Sequence, residues 1–167
     1  MVSIDEFRRV MSRWTTGITV ITAQHGGETH GMVASSFCSV STDPLSVLFC
    51  ADHRTRTYPL VKESGSFAVS ILAHDQEELF RVFAGQKGDR DADRFEGEGV
   101  ITAATGAPIL ADCMAWFDCK VIAAYPGGNT HTIFVGEVLA ADRGKGADDP
   151  PLVYFNRAVR QLTSIED

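Results

Sequence analysis

The chain has 167 residues, 44% of them hydrophobic and 22% charged, with a formal net charge of −7. That length and composition suit one ordinary globular domain spanning residues 1–167, with room for a real hydrophobic core. No basic cluster stands out and no apolar run reaches the length of a bilayer span, so neither nucleic acid nor a membrane is expected as a partner.

Met1-Val2-Ser3-Ile4-Asp5-Glu6 lacks a basic segment leading into an apolar core, which predicts a cytoplasmic protein without a secretory signal. Ser3 and Glu6 form an S-x-x-E capping box, and Phe7, Val10, Met11 and Trp14 follow at helical spacing. A short amphipathic helix is expected there, ended by Gly17. Ile18 to Ala23 is β-branched and reads as a strand, Gly26-Gly27 as a turn, and Thr29 to Ala34 as the returning strand of a hairpin. Asp43-Pro44 marks a further turn before the apolar run Leu45 to Cys50.

Thr55 or Thr57 opens a short helix carrying Leu60 and Val61, and Ser66 to Leu72 reads as a strand. Asp75 and Glu78 resemble a second capping box, with Asp75 as N-cap; Leu79, Val82 and Phe83 line one face, and Gly85 ends the helix. Residues 86–98 are polar and Gly-rich and read as a surface loop. Ala115 to Tyr125 and His131 to Ala141 are two long strands around Pro126-Gly127-Gly128-Asn129. Gly144 to Asp149 is a polar turn, and Pro150-Pro151 precedes the apolar run Leu152 to Phe155. Strands dominate and alternating βαβ units are absent, so a mainly antiparallel β-barrel with a few covering helices is expected.

The usual sources of catalytic power are missing. Neither a dinucleotide fingerprint, nor a P-loop, nor a G-x-S-x-G elbow occurs. Carboxylate pairs such as Asp148-Asp149 or Asp91 and Asp93 sit in polar loops and read as solvated charges. Cys38, Cys50, Cys113 and Cys119 contain no C-x-x-C pair and lie among apolar or small neighbours. Buried free thiols are expected, with two disulfides as the alternative. The cysteines and the five histidines fit no metal-ligand spacing. An enzyme built this way borrows its chemistry from a cofactor.

Four segments are more polar than a fold requires. The first, Met32 to Ser41, lies in a run from His30 that sets small residues and hydroxyls between apolar runs, so a flat or phosphorylated ligand can approach the backbone. The alternative reading is a Ser-rich strand edge or turn. The second, Asp52-His53-Arg54-Thr55-Arg56-Thr57, places hydroxyls and arginines before a helix, which suits a phosphate or simply a helix cap. The third is Phe83-Ala84-Gly85-Gln86-Lys87 with Asp93-Arg94-Phe95. The fourth opens at His131 after a glycine turn.

In this order the segments resemble the short-chain flavin reductase family. Thr16 to Thr22, Gly31 to Phe37 and Phe67 to Leu72 with Asp75-Gln76 match its strand motifs. Phe83-Ala84-Gly85, Asp93-Arg94-Phe95, His131 to Val138 and Pro150 to Phe155 match its later ones, so the likeness runs from about Phe7 to Leu162. Two departures stand out. Gly128-Asn129-Thr130-His131 has one extra residue and no Asp before the histidine. Thr55-Arg56-Thr57 replaces a serine-based clasp.

The resemblance implies an FMN-binding split β-barrel that reduces FMN or FAD with NADH or NADPH and supplies reduced flavin to a partner monooxygenase. It implies flavin contacts from Met32, Val33, Ala34, Ser35, Ser36, Ser39 and Gly85. A phosphate clasp would come from Thr55 and Thr57, helped by Arg54 or Arg56 and by Lys87. His131 would lie near the nicotinamide, with Tyr154 and Arg157 shaping that pocket. No side chain is needed as an acid or base. A homodimer is implied as well; Trp14, Trp116 and Phe117 are candidates for its interface and equally for core packing. Other readings are a tight flavin carrier or sensor of the same fold, and a barrel for haem or pyridoxal phosphate.

Overall fold

A computed structural model describes residues 1–88 and 93–162 of the chain. Asp91 lies outside the described residues. Ser3 caps helix α1 (Ile4–Met11), its hydroxyl accepting the Glu6 N–H at 3.1 Å. The helix stops before Gly17 because Thr16–Gly17 is drawn out as strand β1, paired with Tyr154 and Val153. Strands β2 (Thr19–His25) and β3 (Glu28–Ala34) form the expected hairpin. Strands β4 (Cys38–Thr42) and β5 (Leu45–Asp52) form a second one around a cis Asp43-Pro44 bond.

Helix α2 (Thr57–Ser64), strand β6 (Ser66–Ile71) and helix α3 (Glu77–Phe83) follow. The short pair β7 (Val100–Ile101) and β8 (Ile109–Leu110) precedes the long strands β9 (Ala115–Pro126) and β10 (His131–Arg143). Strands β11 (Val153–Phe155) and β12 (Ala158–Arg160) end the described fold. No helix among the described residues is long and apolar enough to cross a membrane.

Seven strands form one antiparallel sheet in the order β3-β2-β6-β9-β10-β5-β4. The sheet does not close by strand pairing. Instead β3 returns toward β5, and Ser36 bridges them: its hydroxyl accepts the Cys50 N–H at 3.0 Å and donates to the Cys50 carbonyl at 3.4 Å. Inside the curl, Phe49 meets Phe67 edge-on at 4.8 Å and stacks on Phe134 at 5.5 Å. Each such ring contributes roughly 1.5–3 kcal/mol by leaving water. Gly136 makes this possible, since a Cβ there would fall 2.5 Å from the Phe67 ring.

A second core gathers Ile18, Val20, Leu72, Phe80, Phe83 and Leu152 where α3 joins the sheet. Trp116 packs against it, and Phe117 tilts on Phe37 at 5.7 Å. Of the three aromatics named for an interface, Trp14 alone is exposed. It continues the open apolar face of Ile4, Phe7 and Val10 on α1, a helix with no buried residue.

Two expectations need correction. Asp75 and Glu78 do not make a capping box. Gln76 takes the N-cap position, and its amide accepts the Ala73 N–H at 2.9 Å while donating to the Asp112 carbonyl at 3.1 Å. Tying two loops together takes a donor and an acceptor, which a carboxylate does not offer. The cysteines are free, but Cys38 is exposed and Cys50 half-buried. Only Cys113 and Cys119 are buried, and burial pushes their thiols up to about 11 and about 12.

Candidate functional site

The main cavity, about 440 Å³, opens between β3, α3 and the loop before α2. That volume lies in the range of small-molecule sites. Ile18, Phe80, Phe83 and Tyr154 form an apolar wall drawn from the second core. Met32, Val33 and Ser35 face it from the end of β3. Because β3 is an edge strand, its outer N–H and C=O groups are offered to whatever lies beside it. Gly31 keeps this wall thin: a Cβ there would fall 2.7 Å from the Phe83 ring.

The far end of the cavity is cationic, lined by His30, Arg56 and Arg94. Arg94 donates to the Gly31 carbonyl at 3.0 Å and to the Phe83 carbonyl at 2.9 Å, so it ties β3 to the end of α3. Burial lowers its pKa, with Arg56 adding to the effect; a guanidinium stays charged all the same. Arg56 pairs with Glu28 at 2.8 Å. His30 is 5% exposed, and its Nδ1 meets the buried Thr57 hydroxyl at 2.8 Å. Burial, then Arg94 and Arg56, lower the His30 pKa to about 4, so the ring is neutral at pH 7. Its Nε2 is buried and has no partner among the described residues, a condition that costs about 1–3 kcal/mol.

Three smaller cavities share walls with the main one. One of about 360 Å³ shares His30, Arg56 and Arg94 and adds Glu28 and Asp93. One of about 310 Å³ shares Phe80, Gln86 and Tyr154 and adds Arg157. One of about 260 Å³ shares Met32, Val33, Ser35 and Thr55 and adds Ala34, Ser36 and His131. His131 reaches that place because β10 pairs with β5 in a register that sets it opposite Asp52.

The expected residues therefore divide. Met32, Val33, Ser35, Arg54, Thr55 and Tyr154 line the main cavity. Ala34, Ser36, His131 and Arg157 line its neighbours. Ser39 stands exposed on β4 and Lys87 pairs with Glu78; neither lines any of these four cavities. Gly85 lines none of them either, but a Cβ on it would lie 3.3 Å from the Arg94 guanidinium.

The clasp hydroxyls are turned to the protein. Thr55 donates to the Asp52 carbonyl at 2.7 Å, and Thr57, fully buried, is taken by His30. Arg54 is held on Asp52 at 2.6 Å, and its hydrogen bond keeps that carboxyl well below the usual carboxylate range. His30, Arg94 and the Phe80–Phe83 wall had no expected role. The D-R-F motif around Arg94, the F-A-G motif that opens at Phe83 and the place of His30 at the head of a hydroxyl-rich run were the local signals for them.

An apolar slot beside an open strand edge, ending in two guanidinium groups and an orphaned imidazole nitrogen, fits a flat aromatic ligand with an anionic tail. Isoalloxazine with a ribityl phosphate is such a ligand. The comparisons agree. Residues 11–163 match the flavin reductase like domain family. The reductase component of 4-hydroxyphenylacetate 3-monooxygenase from Thermus thermophilus is 34% identical over 95% of this chain and 96% of its own length. An FMN reductase (NADH) from Agrobacterium fabrum is 32% identical over 94% of this chain and 87% of its own. A Streptomyces globisporus NADH:FAD oxidoreductase, solved with NAD and FAD fragments, superposes with a TM-score of 0.87 at 32% identity. That match covers 100% of this chain and 99% of the other. The expected split-barrel fold is therefore the fold observed.

Proposed function

The chain belongs to the flavin reductase family, and we propose on that premise how its cavities carry out NADH-dependent reduction of FMN or FAD. Bound flavin supplies the redox chemistry, taking a hydride from reduced nicotinamide. The protein supplies position, dryness and release. The chain from Val33 to Ser36, at and just beyond the end of β3, would hydrogen-bond the ring edge, and Ser35 would meet the ribityl chain. Ile18, Phe80, Phe83 and Tyr154 keep water off the ring. Arg56 and Arg94 hold the phosphate, with Arg54 and Thr55 at the rim. His131 lies on the other side of the Ser35 wall, where the nicotinamide is expected, and Arg157 extends the Tyr154 side.

The observation that carries this reading is the polarity of one cavity, apolar at the second core and cationic at His30, Arg56 and Arg94. The chain works as a single domain in the cytoplasm and passes reduced flavin to a monooxygenase component. It pairs as a homodimer, which the open apolar face of α1 with Trp14 supports. The test is NADH oxidation by the dialysed protein with and without added FMN, FAD and riboflavin. Oxidation that depends on added flavin is expected. Yellow colour that survives gel filtration with negligible oxidation identifies a carrier instead. Sedimentation at a few micromolar checks the dimer.

A further inference from the structure

His30 is the polar group at the cavity that the flavin reading leaves unused. It comes from β3, is 5% exposed, and lines both the main cavity and the one of about 360 Å³ beside it. Thr57 on α2 occupies its Nδ1 at 2.8 Å. Any hydrogen bond from this ring to the contents of the cavity therefore falls to Nε2, a buried atom without a partner among the described residues. Arg56 and Arg94 line the same two cavities, so an anion held by the arginines lies beside the ring.

The direction of the Thr57 bond decides what Nε2 can do. A neutral imidazole has one N–H and one acceptor nitrogen. When the Thr57 hydroxyl donates to Nδ1, the proton sits on Nε2, which then offers an N–H. An anionic oxygen between two guanidinium groups selects that arrangement and satisfies the orphaned atom. The main cavity has room for one aromatic body, and at its tail end Arg56 and Arg94 offer the donors a phosphate ester takes, with Glu28 paired to Arg56 at 2.8 Å and Asp93 on the adjoining cavity.

Resting on the flavin reading above, we infer that His30 is a specificity-determining residue that donates Nε2–H to the flavin phosphate, and that Thr57 positions it by fixing the tautomer. Thr57 acts through the ring and never touches the phosphate. The site thereby separates phosphorylated flavins from riboflavin, which has the same ring system and no anion. The neutral ring adds direction to the attraction that the arginines supply.

The experiment is fluorescence titration of the dialysed protein with FMN and, separately, with riboflavin. His30→Leu keeps side-chain volume and removes the donor. Thr57→Val keeps shape and removes the hydroxyl. His30→Gln restores a donor on a similar reach. The ratio of FMN to riboflavin affinity is expected to fall about tenfold in His30→Leu and threefold to tenfold in Thr57→Val. His30→Gln should recover part of the loss, and riboflavin affinity should stay within about twofold throughout. Equal weakening of both flavins, or an unchanged ratio in a wild-type-active reductase, overturns the assignment and leaves the flavin reading standing. A wild-type chain that binds neither flavin overturns both. Should His30→Leu fail to fold by circular dichroism, the ratio in Thr57→Val decides alone.

Discussion

The two ends of the main cavity are built in opposite ways. The β3 wall, Met32 to Ser35, is one contiguous stretch of chain, and its chemistry is largely backbone at an open sheet edge. The cationic end takes His30 from β3, Arg56 from the loop before α2, and Arg94 from a segment beyond α3. A contiguous wall tolerates side-chain change, provided the backbone keeps its path. An assembled end depends on each contributor, because every one holds another: Arg94 holds Gly31 and Phe83, and Thr57 holds His30.

The sharpest way to break this contrast is Gly31→Ala. Its Cβ would fall 2.7 Å from the Phe83 ring, which lines the cavity. Overpacking of this kind costs about 1–3 kcal/mol, read as a lower urea midpoint. Because Phe83 is driven toward the flavin ring, FMN and riboflavin should weaken together. Substitution on the wall with unchanged binding of both would show that the β3 edge is not the ring's seat.

Arg94→Met tests the assembled end. It strips the Gly31 and Phe83 carbonyls of a charged donor at 3.0 and 2.9 Å, a loss of about 1.5–3 kcal/mol. Here FMN affinity should drop far more than riboflavin affinity, the reverse of the Gly31→Ala pattern. Calorimetric titration with each flavin separates the two outcomes.

A smaller effect follows from pH. The folded pKa of His30, about 4, lies below its ordinary value of 6.5. As pH falls, the unfolded chain therefore binds its proton first. Stability from the neutral ring is complete above about pH 6.5 and is lost as pH falls through about 4. Arg94 and Arg56 act with burial, while Glu28 opposes them. The difference in unfolding free energy between wild type and His30→Gln, read from urea titrations, should shrink between pH 7 and pH 4.5 by on the order of 2 kcal/mol. A pH-independent difference would mean that the ring is not held neutral.

The same contrast explains what was legible in the sequence. The β2–β3 hairpin and the long strands β9 and β10 carry period-two or β-branched runs with glycine turns, and they stand where expected. Strand β4 was not separated in the sequence from a Ser-rich edge or turn, and in the fold all five of its residues are exposed. The pairs β7–β8 and β11–β12 are two or three residues per strand, too short for a period to register. The β3 wall was readable because its chemistry is local. His30 sat at the head of that run, but its partner Thr57 is 27 residues away and Arg94 is 63 residues from Gly31. The clasp at Thr55 and Thr57 was implied by the family resemblance. Only three-dimensional structure turns their hydroxyls inward.

The most direct test of the account is a crystal structure of the chain with FMN bound. The account predicts the ring between the β3 edge and the Phe80–Phe83 wall, with the phosphate among His30, Arg56 and Arg94. A phosphate seated beside Tyr154 and Arg157 would contradict it.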